Sequence, residues 1–235
     1  MAEAVSLHLS HLQAWYGDSQ ALFGVGFAVR RGEVTCLVGR NGAGKTTILR
    51  AIMGLLSRQT GSIFLSGRDT TGMRPYERVR LGIGYCPEER AIFSSLTVEE
   101  NLALPPVVSD AGMAKADIFA MFPNLHARRH HYGNQLSGGE QQMLAIARIL
   151  RTGAQTLLLD EPTEGLAPVI VRQIEDALIE LKRRGYTILL VEQNLDFVLH
   201  LADRVVAIEN GGVVDDLETR GGDHVKARLL ERLAL

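Results

Sequence analysis

Runs rich in Val, Ile and Leu recur along the chain at residues 34–38, 83–86, 156–160, 187–192 and 204–209. They are continuous rather than alternating, as in strands buried on both faces, and the middle ones are flanked by segments of helical period. The pattern predicts an α/β fold around a parallel sheet. Residues 6–14, 25–31 and 62–66 read differently, as shorter, half-exposed strands set apart by Gly and Asp turns. They predict an antiparallel β subdomain towards the N-terminus.

Four helices carry their own end signals. Residues 45–53 run up to Gly54. Thr97-Val98-Glu99-Glu100 is a capping box, in which the Thr97 hydroxyl bonds the third backbone N–H and Glu100 reaches back; Pro105-Pro106 stops that helix. Ser137-Gly138-Gly139-Glu140 is a second box, opening a helix that runs to Arg151 and ends at Gly153. Pro168 suits a first turn, after which Ile174, Leu178 and Leu181 line one face, Arg183-Arg184 complement the C-terminal dipole and Gly185 closes the segment. From about residue 91 to 153 the chain is helical and interrupts the strand series. A helical subdomain is expected there, inserted into one domain spanning residues 1–235. A last amphipathic helix is expected over 222–235, with Val225, Leu229 and Leu233 on one side.

Composition narrows the classes. The 25 Lys and Arg against 27 Asp and Glu leave a formal charge of −2, without the basic excess that a phosphate backbone demands, so nucleic acid is not expected as a partner. Cys36 and Cys86 stand far apart without a CxxC neighbour, which gives a disulfide or zinc site no support. His126, His130 and His131 lack acidic or cysteine ligands at metal spacing and read as a solvated helix end. The first fifteen residues carry Glu3, His8 and His11 where a leader would be uninterruptedly apolar, so no export signal is expected. Nowhere do about 18 apolar residues run together, so work at a membrane would need another chain as anchor.

The chemistry concentrates in Gly39-Arg40-Asn41-Gly42-Ala43-Gly44-Lys45-Thr46-Thr47, which follows an apolar strand and opens a helix, the context that a P-loop of pattern GxxxxGK(S/T) requires. Glycines let such a loop wrap its backbone N–H groups around a polyphosphate, and the helix N-terminus adds partial positive charge. Lys45 then supplies a full charge, Thr46 a hydroxyl for Mg²⁺, and Thr47 a bond to an α-phosphate oxygen. Thr156-Leu157-Leu158-Leu159-Asp160-Glu161 is an apolar strand ending in two acids. Strands often end in solvated acids; beside a P-loop, however, Asp160 is placed to hold Mg²⁺ through water, and Glu161 to take a proton from attacking water. Leu136-Ser137-Gly138-Gly139-Glu140-Gln141-Gln142 offers a further glycine-flanked helix N-terminus, which on physical grounds alone is a well-capped helix.

The order P-loop, LSGGEQQ, LLLDEP resembles the nucleotide-binding subunit of ATP-binding cassette transporters over essentially the whole length. The resemblance implies a P-loop NTPase core of RecA-like type, ATP and Mg²⁺ as ligands, and a head-to-tail dimer in which Ser137, Gly138, Gly139 and Glu140 of one subunit close over nucleotide held by the other. It implies that Tyr16 stacks on adenine. Glu88 stands where most members have a glutamine that touches Mg²⁺, and Gln193 stands where most have a switch histidine. Gln193 can donate an N–H to the γ-phosphate but cannot titrate, which leaves Glu161 as the general base. Ala167 replaces a common aspartate, so coupling across the dimer through that loop is expected to be weaker.

PEERAIFSSLTVEENL, DEPTEGLAP and LLVEQN together resemble the second ATPase of branched-chain amino-acid importers, and also the related ATPase of urea and short-amide importers. Such a subunit sits peripherally on the cytoplasmic face of the inner membrane. It works with two permease subunits, a sister ATPase or a second copy of itself, and, indirectly, an extracytoplasmic solute-binding protein. The permease contact is expected around residues 88–93, with Ile92, Phe93 and Leu96, although these three could instead cap the local core. Three rival classes leave no trace. A soluble cassette acting on DNA or ribosomes would show a coiled-coil insertion, tandem cassettes or a basic surface; a small-molecule kinase would not need LSGGEQQ; a GTPase would show NKxD.

Overall fold

Two sheets enclose a helix that begins at Lys45. The computed structural model describes residues 4–219 and 223–233. The N-terminal sheet is antiparallel, in the order β2-β1-β4-β5, with β1 Val5–Tyr16, β2 Ser19–Arg30, β4 Arg58–Leu65 and β5 Arg68–Asp69. The central sheet runs β10-β9-β3-β8-β7-β6 and comprises β3 Val34–Val38, β6 Ile83–Cys86, β7 Thr156–Asp160, β8 Thr187–Val191, β9 Arg204–Glu209 and β10 Gly212–Glu218. Its strands are parallel except for β10, which pairs antiparallel with β9 at the edge.

The continuous apolar runs follow from burial on both faces of this sheet. Leu157, Leu159, Ile188, Leu190, Val205 and Ala207 point into a core shared with the helices on one side. Leu158, Leu189, Val191, Val206 and Ile208 alternate with them into a second core between the two sheets. Helix α1, Lys45–Met53, fills that second core with Ile48, Leu49 and Ile52, so both ends of the helix are fixed by packing.

Arg78 secures its far end. The side chain belongs to α2, Pro75–Val79, and is buried; Nη1 donates to the carbonyls of Ala51 (2.9 Å) and Ile52 (2.7 Å), and Nε to that of Met73 (3.1 Å). A cation is thereby placed where the helix dipole is negative and where the last carbonyls have no partner within the helix. Arg78→Ala removes the side-chain donor from the Ile52 carbonyl, while the Ala51 carbonyl keeps its bond from the Gly54 N–H (3.0 Å), and is expected to destabilise the protein by about 1–3 kcal/mol, read as a lower urea midpoint with unchanged slope.

Between β6 and β7 the chain is helical: α3 Val98–Ala103, α4 Lys115–Met121, α5 Pro123–Ala127, a 3-10 turn at Gly133–Gln135 and α6 Gly138–Thr152. Both capping boxes form as the sequence predicts, at Thr97 and Ser137, and Gly153 ends α6 in the left-handed conformation. Beyond β7 come α7 Pro168–Arg183, α8 Leu195–Leu201 and α9 Asp223–Leu233. Val225 and Leu229 of α9 pack into the first core. Gly222, Ala234, Leu235 and the side chain of Leu233, all part of the expected tail helix, lie outside the described residues.

Two strands begin earlier than expected. The strand expected at 25–31 begins at Ser19 and runs through Gly24, because register shifts along β1 and β2 absorb the irregularity that the glycines suggested. The strand expected at 62–66 begins earlier, at Arg58. The hairpin to β10 was not anticipated. Its turn is Asn210-Gly211, both with positive φ (49° and 74°), a strong short-range hairpin signal that the half-buried Val-Val-Asp-Asp-Leu-Glu run after it obscured.

Candidate active site

The glycine-rich segment occupies the turn from β3 into α1. At Gly39 a Cβ would lie 2.2 Å from the backbone oxygen of Ile208, so only glycine lets β3 leave the sheet beside β9. Gly44 precedes α1 with φ 106°, turning the first N–H groups of the helix outward. The Lys45 side chain is buried and folded back: Nζ donates to the carbonyls of Gly39 (2.8 Å) and Arg40 (3.1 Å) and lies 3.5 Å from Glu161 Oε1. Those carbonyls are weak partners for a full charge, so a polyphosphate entering the loop competes with them on favourable terms.

The second half of the site comes from the ends of neighbouring strands. Asp160 closes β7 and is buried; its Oδ1 accepts from the Thr46 hydroxyl (3.1 Å) and its Oδ2 from the Tyr85 hydroxyl (3.2 Å). Burial pushes the Asp160 carboxyl up to about 6, against the pull of those two hydrogen bonds, and the charges of Glu161 and Glu88 add to the rise. A hydroxyl and a carboxylate oxygen brought together in this way form the donor set that a hard divalent cation takes, so the residues fit Mg²⁺.

Glu161 lies just past the strand with φ 45°, a left-handed conformation that a non-glycine residue adopts under constraint. Its N–H bonds the Val191 carbonyl (3.0 Å), and its Oε2 accepts from Gln193 Nε2 (2.9 Å), which also donates to Asn41 Oδ1 (2.7 Å). Gln193 thus spans the phosphate loop and the acidic residue. Lys45, Thr46 and Glu161 border a cleft of about 650 Å³ whose lining also includes Tyr16, Asn41, Gly42, Gly44, Thr47 and Glu88; Asp160 is buried beside it, and Gln193 lines an adjoining hollow with Thr163, Glu164 and Glu192. Tyr16 is half exposed at the rim of the cleft, its hydroxyl 3.5 Å from Thr47 Oγ1.

Not every expected residue joins them. Arg40 and Ala43 line a smaller hollow beside Ile208 and Asn210. Ser137, Gly138, Gly139 and Glu140 contribute nothing to the cleft lining. They are occupied in their own cap, where Ser137 N–H donates to Glu140 Oε2 (2.8 Å) and Glu140 N–H to Ser137 Oγ (3.3 Å), with Arg128 3.6 Å from Glu140.

Several residues at the site escaped sequence reasoning, Gln20, Ala21 and Phe23 of the cleft wall among them. Tyr85 holds Asp160, Asn210 and Gly211 form part of the cleft wall, and Glu164 faces Glu161, whose hydrogen bond and charge raise the Glu164 carboxyl above the usual range. Only the Asn-Gly pair had a local signal; Tyr85 is placed by strand register, and Glu164 by the turn in which its N–H bonds the Glu161 carbonyl (3.2 Å).

A phosphate loop between two sheets, with an acid pair at the end of a parallel strand two places along the central sheet, defines a nucleotide-hydrolysing P-loop cassette. The sequence profile of the ABC transporter family matches residues 22–164, and the chain belongs to that family. It is an ATPase of that family. It is 42% identical over 211 residues to the high-affinity branched-chain amino acid transport ATP-binding protein BraG of Pseudomonas aeruginosa, covering 88% of this chain and 91% of that protein. It is 39% identical over 206 residues to the probable branched-chain amino acid transport ATP-binding protein LivF of Archaeoglobus fulgidus, covering 86% and 87%. Among solved structures it is similar to a dimeric post-hydrolysis ATP-binding cassette bound to ADP and Pi, with a TM-score of 0.80 and 25% identity over 92% of this chain and 99% of that one. Among the described residues no helix is long and apolar enough to cross a membrane.

Proposed function

We propose that this chain is the ATP-hydrolysing subunit of an importer for branched-chain amino acids. One observation carries the catalytic part: Lys45, Thr46 and Glu161 line a single cleft, and Asp160 and Gln193 are held against them by hydrogen bonds to Thr46 and Glu161. The substrate class is supported by the branched-chain amino acid transport function of BraG and LivF, which match this chain over most of its length. Residues 1–235 act as one ATPase domain, with a helical subdomain at about 91–153.

In this reading Tyr16 stacks on the base. Gly39, Arg40, Asn41, Gly42, Ala43, Gly44, Lys45, Thr46 and Thr47 bind the phosphates through backbone N–H groups, the lysine charge and the hydroxyls. Thr46 and Asp160 would hold Mg²⁺, with Glu88 contributing an oxygen directly or through water; bound there, the ion would supply positive charge against the phosphates. Glu161 takes the proton of the attacking water, and Gln193 donates its amide N–H to the γ-phosphate. Ser137, Gly138, Gly139 and Glu140 serve the other subunit of a head-to-tail pair, formed with a sister ATPase or a second copy. Closure and reopening of that pair move two permease subunits, against which the chain sits peripherally on the cytoplasmic face of the inner membrane. An extracytoplasmic solute-binding protein delivers the solute. The half-exposed ring of Phe93, stacked 4.6 Å from the Arg148 guanidinium, offers an apolar contact for the permease.

Deleting the gene for this chain tests the substrate class. Uptake of labelled leucine, isoleucine and valine is expected to fall to background and to return with the wild-type chain, while urea and acetamide uptake continues. Loss of urea or acetamide uptake with leucine uptake intact overturns the reading in favour of a short-amide importer.

The raised Asp160 carboxyl gives a pH signature. The ordinary carboxyl titrates near 3.8, whereas this one is held at about 6, so acidification neutralises the cation-binding oxygen within an accessible range. kcat/KM for Mg-ATP is expected to fall as pH drops through about 6, tending to tenfold per unit below it. The nucleotide-free fold responds with the opposite sign. Protonation relieves a buried charge, so this group's contribution to stability is greatest below pH 3.8 and is lost as pH rises through about 6. Unfolding and turnover measured across pH 4.5–7.5 check both signs.

A further inference from the structure

The parallel ladder between β7 and β8 ends at the Asp160 and Val191 pair, with one more backbone bond from Glu161 N–H to the Val191 carbonyl. Beyond that point the loops bearing Glu161 and Gln193 are joined by side chains. One join is the exposed contact between Gln193 and Glu161 themselves. The other is buried and centres on Glu192, which is 3% exposed.

Glu192 Oε1 accepts from the Thr163 N–H (3.2 Å) and from the Thr163 hydroxyl. Its Oε2 accepts from the N–H groups of Gln193 (3.0 Å) and Asn194 (3.4 Å). Its own N–H bonds the Leu37 carbonyl of β3, the strand that feeds the phosphate loop (3.2 Å). All four groups facing the carboxylate are donors, and only a carboxylate presents acceptors on both oxygens. Buried, fully satisfied bonds of this kind hold geometry more firmly than the exposed contact that they flank.

We propose that Glu192 is a positioning residue for hydrolysis: with Thr163 it clamps the loop of Glu161 to the loop of Gln193, so that the general base and the γ-phosphate donor meet in one geometry. The proposal rests on the roles given above to Glu161 and Gln193. The clamp touches neither nucleotide nor attacking water. It acts by fixing Glu161, two residues before Thr163, in its left-handed conformation, and by fixing the backbone of Gln193 directly.

The test uses the full-length chain and measures kcat, KM for Mg-ATP and the thermal midpoint. Glu192→Gln keeps the shape but turns an NH₂ group towards one of the two donor pairs, and Thr163→Val removes the hydroxyl. Each is expected to lower kcat about 10- to 100-fold while KM stays within about threefold, because the phosphate loop is intact. Thr163→Ser keeps both donors and is expected to restore kcat to within about threefold of wild type. If Glu192→Gln fails to fold, the Val and Ser variants at position 163 still decide the question.

The clamp is overturned if Glu161→Gln loses turnover while Thr163→Val and Glu192→Gln keep kcat within about threefold. It is equally overturned if Thr163→Ser is as slow as Thr163→Val, or if KM rises in step with the fall in kcat, since general loosening would do that. Near-normal turnover by Glu161→Gln would instead remove the base assignment, and the clamp that serves it would fall with it.

Discussion

Glu161→Gln is expected to bind Mg-ATP at least as tightly as the wild type and to lose about 100- to 1,000-fold or more in turnover, the scale at which a positioned general base contributes. The amide keeps the shape of the carboxylate, and its oxygen can still accept from Gln193 Nε2, so the 2.9 Å contact survives. What disappears is the capacity to take a proton. Binding is spared for an electrostatic reason: the Glu161 carboxylate lies 3.5 Å from the Lys45 ammonium and would oppose incoming phosphates, so neutralising it frees the lysine for them. With hydrolysis blocked, the closed pair of subunits should persist. Light scattering in Mg-ATP is therefore expected to show a stable dimer for the variant and a transient one for the wild type, while phosphate release falls only in the variant. Near-normal release would place the base elsewhere, and Glu164, whose carboxyl is raised by Glu161, is the acid positioned to be tested next.

The phosphate loop and the acid pair were legible because each is a local pattern. Gly39 to Thr47 is one unbroken segment, and Asp160-Glu161 follows directly from an apolar strand, so no long-range register is needed to see them. The parallel strands were legible for a related reason. Burial on both faces leaves no alternation to blur, and β3, β6, β7 and β9 begin and end where their apolar runs do. The antiparallel part was harder to read. β1 and β2 are twelve residues each with several register shifts, and glycine within such strands resembles a turn until the pairing is known.

The remaining parts of the site depend on which strands are neighbours. Tyr85 reaches Asp160 because β6 pairs with β7, and Thr163 reaches Glu192 because β7 pairs with β8. Separations of 75 and 29 residues carry no periodic signal. Ser137 to Glu140 form the opposite case: the sequence gives their local structure, a capping box, and one copy of the chain gives them no place at the cleft. In the proposed head-to-tail pair these four residues would act at the nucleotide of the other subunit, so residues that form a complete helix cap in one copy would complete their function only with a partner.

Gly39→Ala is expected to lower ATP affinity by more than about 100-fold and stability by about 3 kcal/mol. The added Cβ would sit 2.2 Å from the Ile208 oxygen and 3.4 Å from Ala43 Cβ. The first is a backbone atom of β9, and Ile208 is fully buried in the core between the sheets, so the clash cannot be relieved by turning a side chain. Either β3 separates from β9 where Val38 faces Ala207, or the loop shifts, and a shifted loop misaligns the N–H groups that must converge on phosphate. Gly42 provides the internal comparison. It has φ 79° but open space around its Cβ position, so Gly42→Ala meets only the backbone penalty of the left-handed region, about 1 kcal/mol. Urea unfolding and nucleotide titration of the two variants separate the causes. A large stability loss at position 39 with a small one at 42 shows that close approach to β9 fixes the loop, whereas equal losses would assign the requirement for glycine to backbone conformation alone.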